Sequence, residues 1–273
     1  MKKNILILFI GIAAILPFFM FRNTTCPLSR PVLSPARTID LKASQDELLH
    51  LLKIRNDALA EAEAERILSV EPNDICALWA KAEVLRRAYK FKDSQKLLKI
   101  ILIKSPDYAP SLISLAYIRY HDNDFASAIK LLKGVLRGPD LEREDKAMAY
   151  MLIGIINARK ASQGGFLSKV VYGARIMGYF EKAMVFAPDL PEVHLGLGTY
   201  CLLAPRIAGG NLDRAIEELK WAIRLAPDFA TPNARLAQAY KEKGDLEQYR
   251  FYLKRAKELD PVNEVVRQIE APA

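Results

Sequence analysis

The sequence predicts an all-α protein built as a solenoid of stacked helical hairpins, and three observations predict it. Prolines recur 34 residues apart, Pro72 to Pro106 and Pro227 to Pro261, with Pro188 between the two pairs. Each proline closes one helix-periodic apolar run and opens another. At fixed offsets before these prolines the same small and apolar residues return: Ala60, Ala64 and Ile67; Ser94, Leu98 and Ile101; Ala215, Leu219 and Ala222; Tyr249, Leu253 and Ala256. Such a period belongs to units that cannot bury their apolar faces alone, so neighbours must stack.

Taken in chain order, Met1-Lys2-Lys3-Asn4 precedes an uncharged run over residues 5–21 that ends at Arg22. Seventeen residues at a helical rise of 1.5 Å span about 25 Å, slightly less than a hydrocarbon core of roughly 30 Å. The run ends in Phe19-Met20-Phe21-Arg22 instead of the small residues a cleavable signal needs, so residues 1–22 read as an uncleaved signal-anchor. Lipidation at Cys26 is the alternative, although Asn23 stands where a bacterial lipoprotein carries Leu. The basic first residues place the amino end in the cytoplasm and the repeats outside, in a single-pass inner-membrane arrangement. Arg22, Arg30 and Arg37 offset Lys2 and Lys3 in that count. Residues 23–40 hold three prolines and read as an extended tether. The solenoid then occupies 41–273, its first helix capped by Asp40, or by Ser44 with Glu47 as a capping box.

Inside the period, a large residue is followed by a small one at Lys81-Ala82, Leu115-Ala116, Ile153-Gly154, Leu197-Gly198 and Leu236-Ala237. The small member lets two antiparallel helices approach closely. The first repeat departs from this, with Glu47-Leu48. The interval from Pro106 to Pro188 exceeds two periods, and that from Pro188 to Pro227 exceeds one. The surplus is assigned to insertions near 138–145, 161–175 and 204–211, where Gly and Pro predict loops between helices.

This pattern resembles the tetratricopeptide repeat, W-x2-L-G-x2-Y followed by A-x3-F and P, over about residues 41–263. The resemblance implies a right-handed α-solenoid of about six hairpins. A short capping helix within 262–270 follows, and the N-terminal hydrophobic helix precedes it. It further implies that the first helix of each hairpin lines a concave groove. The corresponding positions carry Trp79, Glu83 and Arg86, then Ile113, Tyr117 and Tyr120. Met151, Ile155, Leu195 and Thr199 follow, and after them Ala234, Gln238 and Lys241. The expected groove is aromatic and aliphatic, with Arg86 and Arg87 at one end, suited to an extended protein segment whose carboxylate meets an arginine. The family's carboxylate clamp for acidic tails is missing, because Gln45, Leu49, Trp79 and Ile113 occupy its places. The resemblance thus implies a membrane-tethered interaction scaffold of the cell envelope. The segment Ala204-Pro-Arg-Ile-Ala-Gly-Gly-Asn-Leu-Asp-Arg-Ala215 is also similar to the T-component of TRAP transporters, which implies a small apolar ligand instead.

Other classes find less support. The formal charge is +8, and Lys2, Lys3 and Arg22 supply three of these, so the folded part is only mildly basic. With no Lys/Arg block interleaved with aromatics, nucleic acid is not expected as a partner. Cys26, Cys76 and Cys201 have no paired spacing, and the two later ones read as apolar fillers. His50, His121 and His194 are isolated and read as helix-surface or groove residues, so no metal or cofactor is expected. Gly164-Gly165 and Gly209-Gly210 lack the context of a phosphate loop. Glu142, Glu144 and Asp145 are expected in a solvated loop with ordinary acidities. No enzymatic constellation is left.

Overall fold

The computed structural model describes residues 40–139, 141–164 and 166–271, and of residues 166–174 the backbone alone. The expected membrane segment at 5–21, most of the tether and Cys26 lie outside these residues. Among the described residues no helix is long and apolar enough to cross a membrane, and all regular structure is helical.

Thirteen α-helices are present among the described residues: α1 Leu41–Lys53, α2 Asp57–Val70, α3 Ile75–Arg87, α4 Phe91–Lys104, α5 Ala109–His121, α6 Phe125–Val135, α7 Arg143–Gln163, α8 Phe166–Phe186, α9 Pro191–Leu203, α10 Leu212–Leu225, α11 Ala230–Lys243, α12 Leu246–Leu259 and α13 Glu264–Glu270. They pair as six antiparallel hairpins, each packed on the next, and α13 closes the stack against α11 and α12. Pro72, Pro106, Pro188, Pro227 and Pro261 all fall in the short links between hairpins, where a missing N–H costs no helical bond.

Side-chain caps start several of the helices. Asp40, Asn56, Asp74, Asp124, Asn211 and Asp245 accept a hydrogen bond from the backbone N–H three residues on. Of the two caps expected for α1, Asp40 is the one used. Ser44 lies inside the helix, and its hydroxyl donates to the Asp40 carbonyl at 2.9 Å.

The recurrent residues form the core. Ala82, Ala116 and Ala237 are fully buried, as are Ala60, Ala64, Ile67, Leu98, Ile101, Ala215, Leu219 and Ala222. The large-small pairs work through close approach. A Cβ on Gly198 would sit 2.9 Å from Leu219 Cγ on the facing helix, and one on Gly154 would lie 3.3 Å from Phe180 Cζ.

Two expectations need correction. The stretch 161–175 is not an inserted loop: α7 and α8 are each 21 residues long, α7 reaching Gln163 and α8 starting at Phe166. The extra residues lengthen one hairpin, because Ala, Lys, Gln and Val around the two glycines continue the helices. His194 is neither on the surface nor in the groove. It is buried, with Nδ1 2.7 Å from Glu218 and Nε2 2.7 Å from the Pro188 carbonyl, and it stacks on Trp221.

Residues 204–211 form the link between α9 and α10, with a 3-10 turn at Arg206–Ala208. Gly209 has φ +95, and a Cβ on Gly210 would stand 1.8 Å from the Ala204 carbonyl oxygen. Both glycines are thus required by backbone geometry and not by a ligand.

Candidate functional site

The inner helices curl tightly enough that the first hairpin reaches the fifth and sixth. Arg55, in the α1–α2 turn, pairs with Glu192 at the start of α9, and its guanidinium lies 3.9 Å from the centre of the Phe229 ring. Lys53 bridges Glu144 at 3.0 Å and Asp189 at 2.7 Å. Arg55 and Glu192 side chains are only 11% and 12% exposed, so this latch is largely withdrawn from water. The coil therefore closes on itself around a hollow of about 2350 Å³.

Eleven of the thirteen residues expected in the groove line this hollow: Trp79, Glu83, Arg86, Ile113, Tyr117, Tyr120, Met151, Ile155, Leu195, Thr199 and Gln238. Arg87 joins them. Ala234 does not, being buried against Ala256, Val265 and Val266, and Lys241 is exposed outside the lining.

The two ends of the hollow differ in chemistry. At the amino end, Glu83 binds Arg86 through two oxygens and Arg87 through one, while Arg87 also reaches Asp57 and donates to the Leu52 carbonyl at 3.0 Å. Ser114 donates to Glu83 at 3.0 Å, and the Trp79 indole donates to Ser114 at 3.1 Å. Arg86 lies flat over Tyr117 at 4.0 Å. Burial alone would push the Glu83 carboxyl up, but Arg86, Arg87 and Arg55 outweigh it and hold the group far below the usual carboxylate range. Glu83 and Arg86 thus stay ionised, as a satisfied buried network requires.

At the other end Met151, Ile155, Leu195 and Gly196 make an apolar wall over Phe180, with Tyr200 and Leu203 near its rim. The 204–211 link contributes Ile207, which is fully exposed, as a lip of the same hollow. Asp145, on the first turn of α7, also lines it. Burial, then Glu142 and Glu144, push its carboxyl up to about 6, so the acids there do not all keep ordinary acidities as expected.

Further lining residues come from places sequence reasoning did not assign to the groove. Arg55, Tyr89 and Asn123 sit in the turns of the first three hairpins at positive φ (67, 59 and 59), again 34 residues apart. That spacing was the available signal. Each side chain at this left-handed position projects to the hollow, a geometry that costs roughly 1 kcal/mol or more for a residue other than Gly, Asn or Asp. His121 packs among Phe91, Tyr117 and Tyr120, and burial lowers its proton affinity. The Glu264 backbone at the start of α13 reaches the Tyr89 phenol, so the carboxyl end forms part of the wall.

The two cysteines that the structure describes are inert. Burial first, then Asp74 and Asp46, push the Cys76 thiol up to about 12, and burial raises Cys201.

Residues 230–263, the α11–α12 hairpin and its following link, match the family described as tetratricopeptide repeat. No curated protein matches the chain. Among solved structures, the chain is similar to human IFIT1 in a dimer with m7Gppp-AAAA, at 19% identity and a TM-score of 0.59, over 85% of this chain and 53% of that one. It is also similar to PilF of Pseudomonas aeruginosa, at 17% identity and a TM-score of 0.45, over 84% of this chain and 96% of the other. At these identities the likeness concerns the fold alone. Residues 230–263 thus match a tetratricopeptide repeat, and the hairpins stacked before them give the described chain the fold of a helical-hairpin solenoid.

Proposed function

We propose that this protein is a membrane-tethered scaffold of the bacterial cell envelope that holds an extended segment of a partner protein inside its coil. One observation carries the reading: inner-helix residues from four successive hairpins converge on a single hollow, apolar at one end and rich in arginine at the other. At about 2350 Å³ the space exceeds the roughly 300–1,000 Å³ that suits a small ligand, so a stretch of chain fills it better than a metabolite. The apolar wall of Met151, Ile155 and Leu195 would take side chains. Arg55, whose Nε is buried without a partner, would meet a carbonyl or carboxylate. The run 5–21 would anchor the chain in the inner membrane, with the repeats on the periplasmic side. The role is binding, not catalysis.

A photo-crosslinking amino acid placed at Tyr120 or Ile155 of the full-length chain, in cells, tests this. Crosslinks to one partner from both inner positions, and none from the outer residue Ile103, are expected. Equal labelling from all three, or none from the inner pair, contradicts the reading. The exposed Ile207 lip favours a second reading, an apolar small ligand held for a transporter. Native mass spectrometry of the purified chain separates the two: a constant added mass of metabolite size would support the ligand.

A further inference from the structure

We infer that the outer face formed by α4 and α6 lies against an anionic bilayer surface. This rests on the tether proposed above, but the observations behind it are separate. On α4 the buried residues are Ser94, Leu98 and Ile101, and the exposed stripe opposite them is Lys92, Lys96, Lys99 and Ile103. On α6 the buried residues are Ala128, Leu132 and Val135, and the opposite side carries Lys130 and Lys133, with Arg137 exposed in the turn that follows. The spacing is 4, 3, 4 on α4, and Lys130 and Lys133 stand three apart on α6, so both sets point away from the core.

The charge is unbalanced. The two helices hold one acid, Asp93, which pairs with Lys96. The corresponding helices elsewhere mix signs: Glu61 and Glu65 are exposed on α2, Asp213 and Glu217 on α10, Glu247 and Glu258 on α12. Apolar groups stand among the lysines, with Ile103 82% exposed and Ile100 45% exposed. Other outer helices expose apolar residues too, such as Leu59 on α2 beside Glu61, but here they stand among lysines that no acid except Asp93 offsets. A headgroup layer satisfies both features, since ammonium groups meet phosphates while short apolar side chains enter the acyl boundary. The two helices belong to successive hairpins and flank α5, so the stripes lie on one side of the stack.

Chain length supplies the second argument. Residues 23–39 join the apolar run to α1, and at most about 3.6 Å per residue they reach no farther than about 60 Å. A domain held that close has a high effective concentration at the surface, so a contact that is weak in isolation becomes occupied. An acidic protein or a nucleic acid would need neither the exposed isoleucines nor the tether.

Lysine footprinting tests this on the full-length chain. The protein is reconstituted in vesicles of phosphatidylcholine alone or of phosphatidylcholine mixed with phosphatidylglycerol. It is then treated with an amine-reactive ester and read by mass spectrometry. Lys92, Lys99, Lys130 and Lys133 should be shielded in the anionic vesicles at low salt and freed by high salt, while Lys241 and Lys254 react equally in both. Changing Lys96, Lys99, Lys130 and Lys133 to Glu together should abolish the shielding of Lys92, the reporter that the variant keeps. Each lysine is worth about five-fold in surface partition, so the four weaken it by at least a hundred-fold or so. Equal reactivity in the two vesicles, or shielding by an oligonucleotide or polyglutamate but not by anionic lipid, overturns the inference. Resistance to alkaline extraction scores the anchor separately. Should the chain be extracted, the tether reading fails, and footprinting of the same chain mixed with preformed vesicles still decides the face.

Discussion

The two ends of the hollow use the same helical positions for different purposes. In the second and third hairpins these positions hold Glu83, Arg86 and Tyr117, tied to each other and to Arg87, Ser114 and Trp79. In the fourth and fifth they hold Ile155, Leu195 and Thr199, which line the open space, and Met151, buried behind it, with no charged group among them. The difference teaches that position in the repeat sets which way a side chain points and that residue type sets what it does there. Charges at the amino end, together with the Arg55–Glu192 pair, hold the coil shut. Apolar groups at the other end leave a surface to cover.

Breaking the charged end should have the largest effect. Glu83→Ala leaves Arg86 buried without a carboxylate, and Arg87 with Asp57 alone. A loss of about 3–5 kcal/mol in unfolding free energy is expected from denaturant titration. Glu83→Gln keeps the shape but not the charge and should lose nearly as much. A loss below about 1 kcal/mol for either would mean that the network is solvated.

The apolar end depends on close helix approach. Gly198→Ala places a methyl 2.9 Å from Leu219 Cγ and 3.2 Å from the Ala215 carbonyl, so about 1–3 kcal/mol should be lost. Gly154→Ala meets only the edge of Phe180 and Tyr179 Cβ at 3.3 Å and should lose less. A reversed order would show that α9 and α10 are not held as close as described.

Asp145 sharpens the comparison through pH. Its folded pKa of about 6 lies above the ordinary value, so the folded chain binds the proton more tightly than the unfolded one does. This group therefore adds stability as pH falls through 6 and subtracts it above. Asp145→Asn should raise stability by about 1 kcal/mol at pH 8, and the gain should vanish below about pH 4. Thermal melts at the two pH values check it. A gain of the same size at both would point to a cause other than ionisation.

The smallest effect is expected at the apolar wall itself. Ile155 is only half-buried and faces the hollow, so Ile155→Ala should cost less than about 1 kcal/mol while removing the crosslinked partner described above. A cost comparable to that of Glu83→Ala would mean that the wall is core.

Much of this architecture was legible in the sequence because its signals are local. The link prolines, the Ala82, Ala116 and Gly198 positions and the cap at Asp40 each act within one hairpin or between neighbours. The pointing of Trp79, Tyr117 and Ile155 follows from the same phase. Closure was not legible. Arg55 and Glu192 are 137 residues apart, and whether they meet depends on small rotations accumulated over four hairpins. The left-handed turn positions of Arg55 and Tyr89 gave no warning by residue type, because neither is Gly or Asn, and only their spacing from Asn123 marked them. At 161–175 the paired glycines suggested a loop, yet the helix formers around them prevailed. The environment of Asp145 was missed because an acid in the first turn of a helix reads as solvated, whereas this one is partly buried.

The closed coil is tested most directly by a double-mutant cycle on Arg55→Ala and Glu192→Ala, read by equilibrium unfolding. If the two side chains meet as described, each single change should be costly and the double change only slightly worse, with a coupling of about 2 kcal/mol. Additive effects within about 0.5 kcal/mol would place the residues apart and describe an open spiral instead.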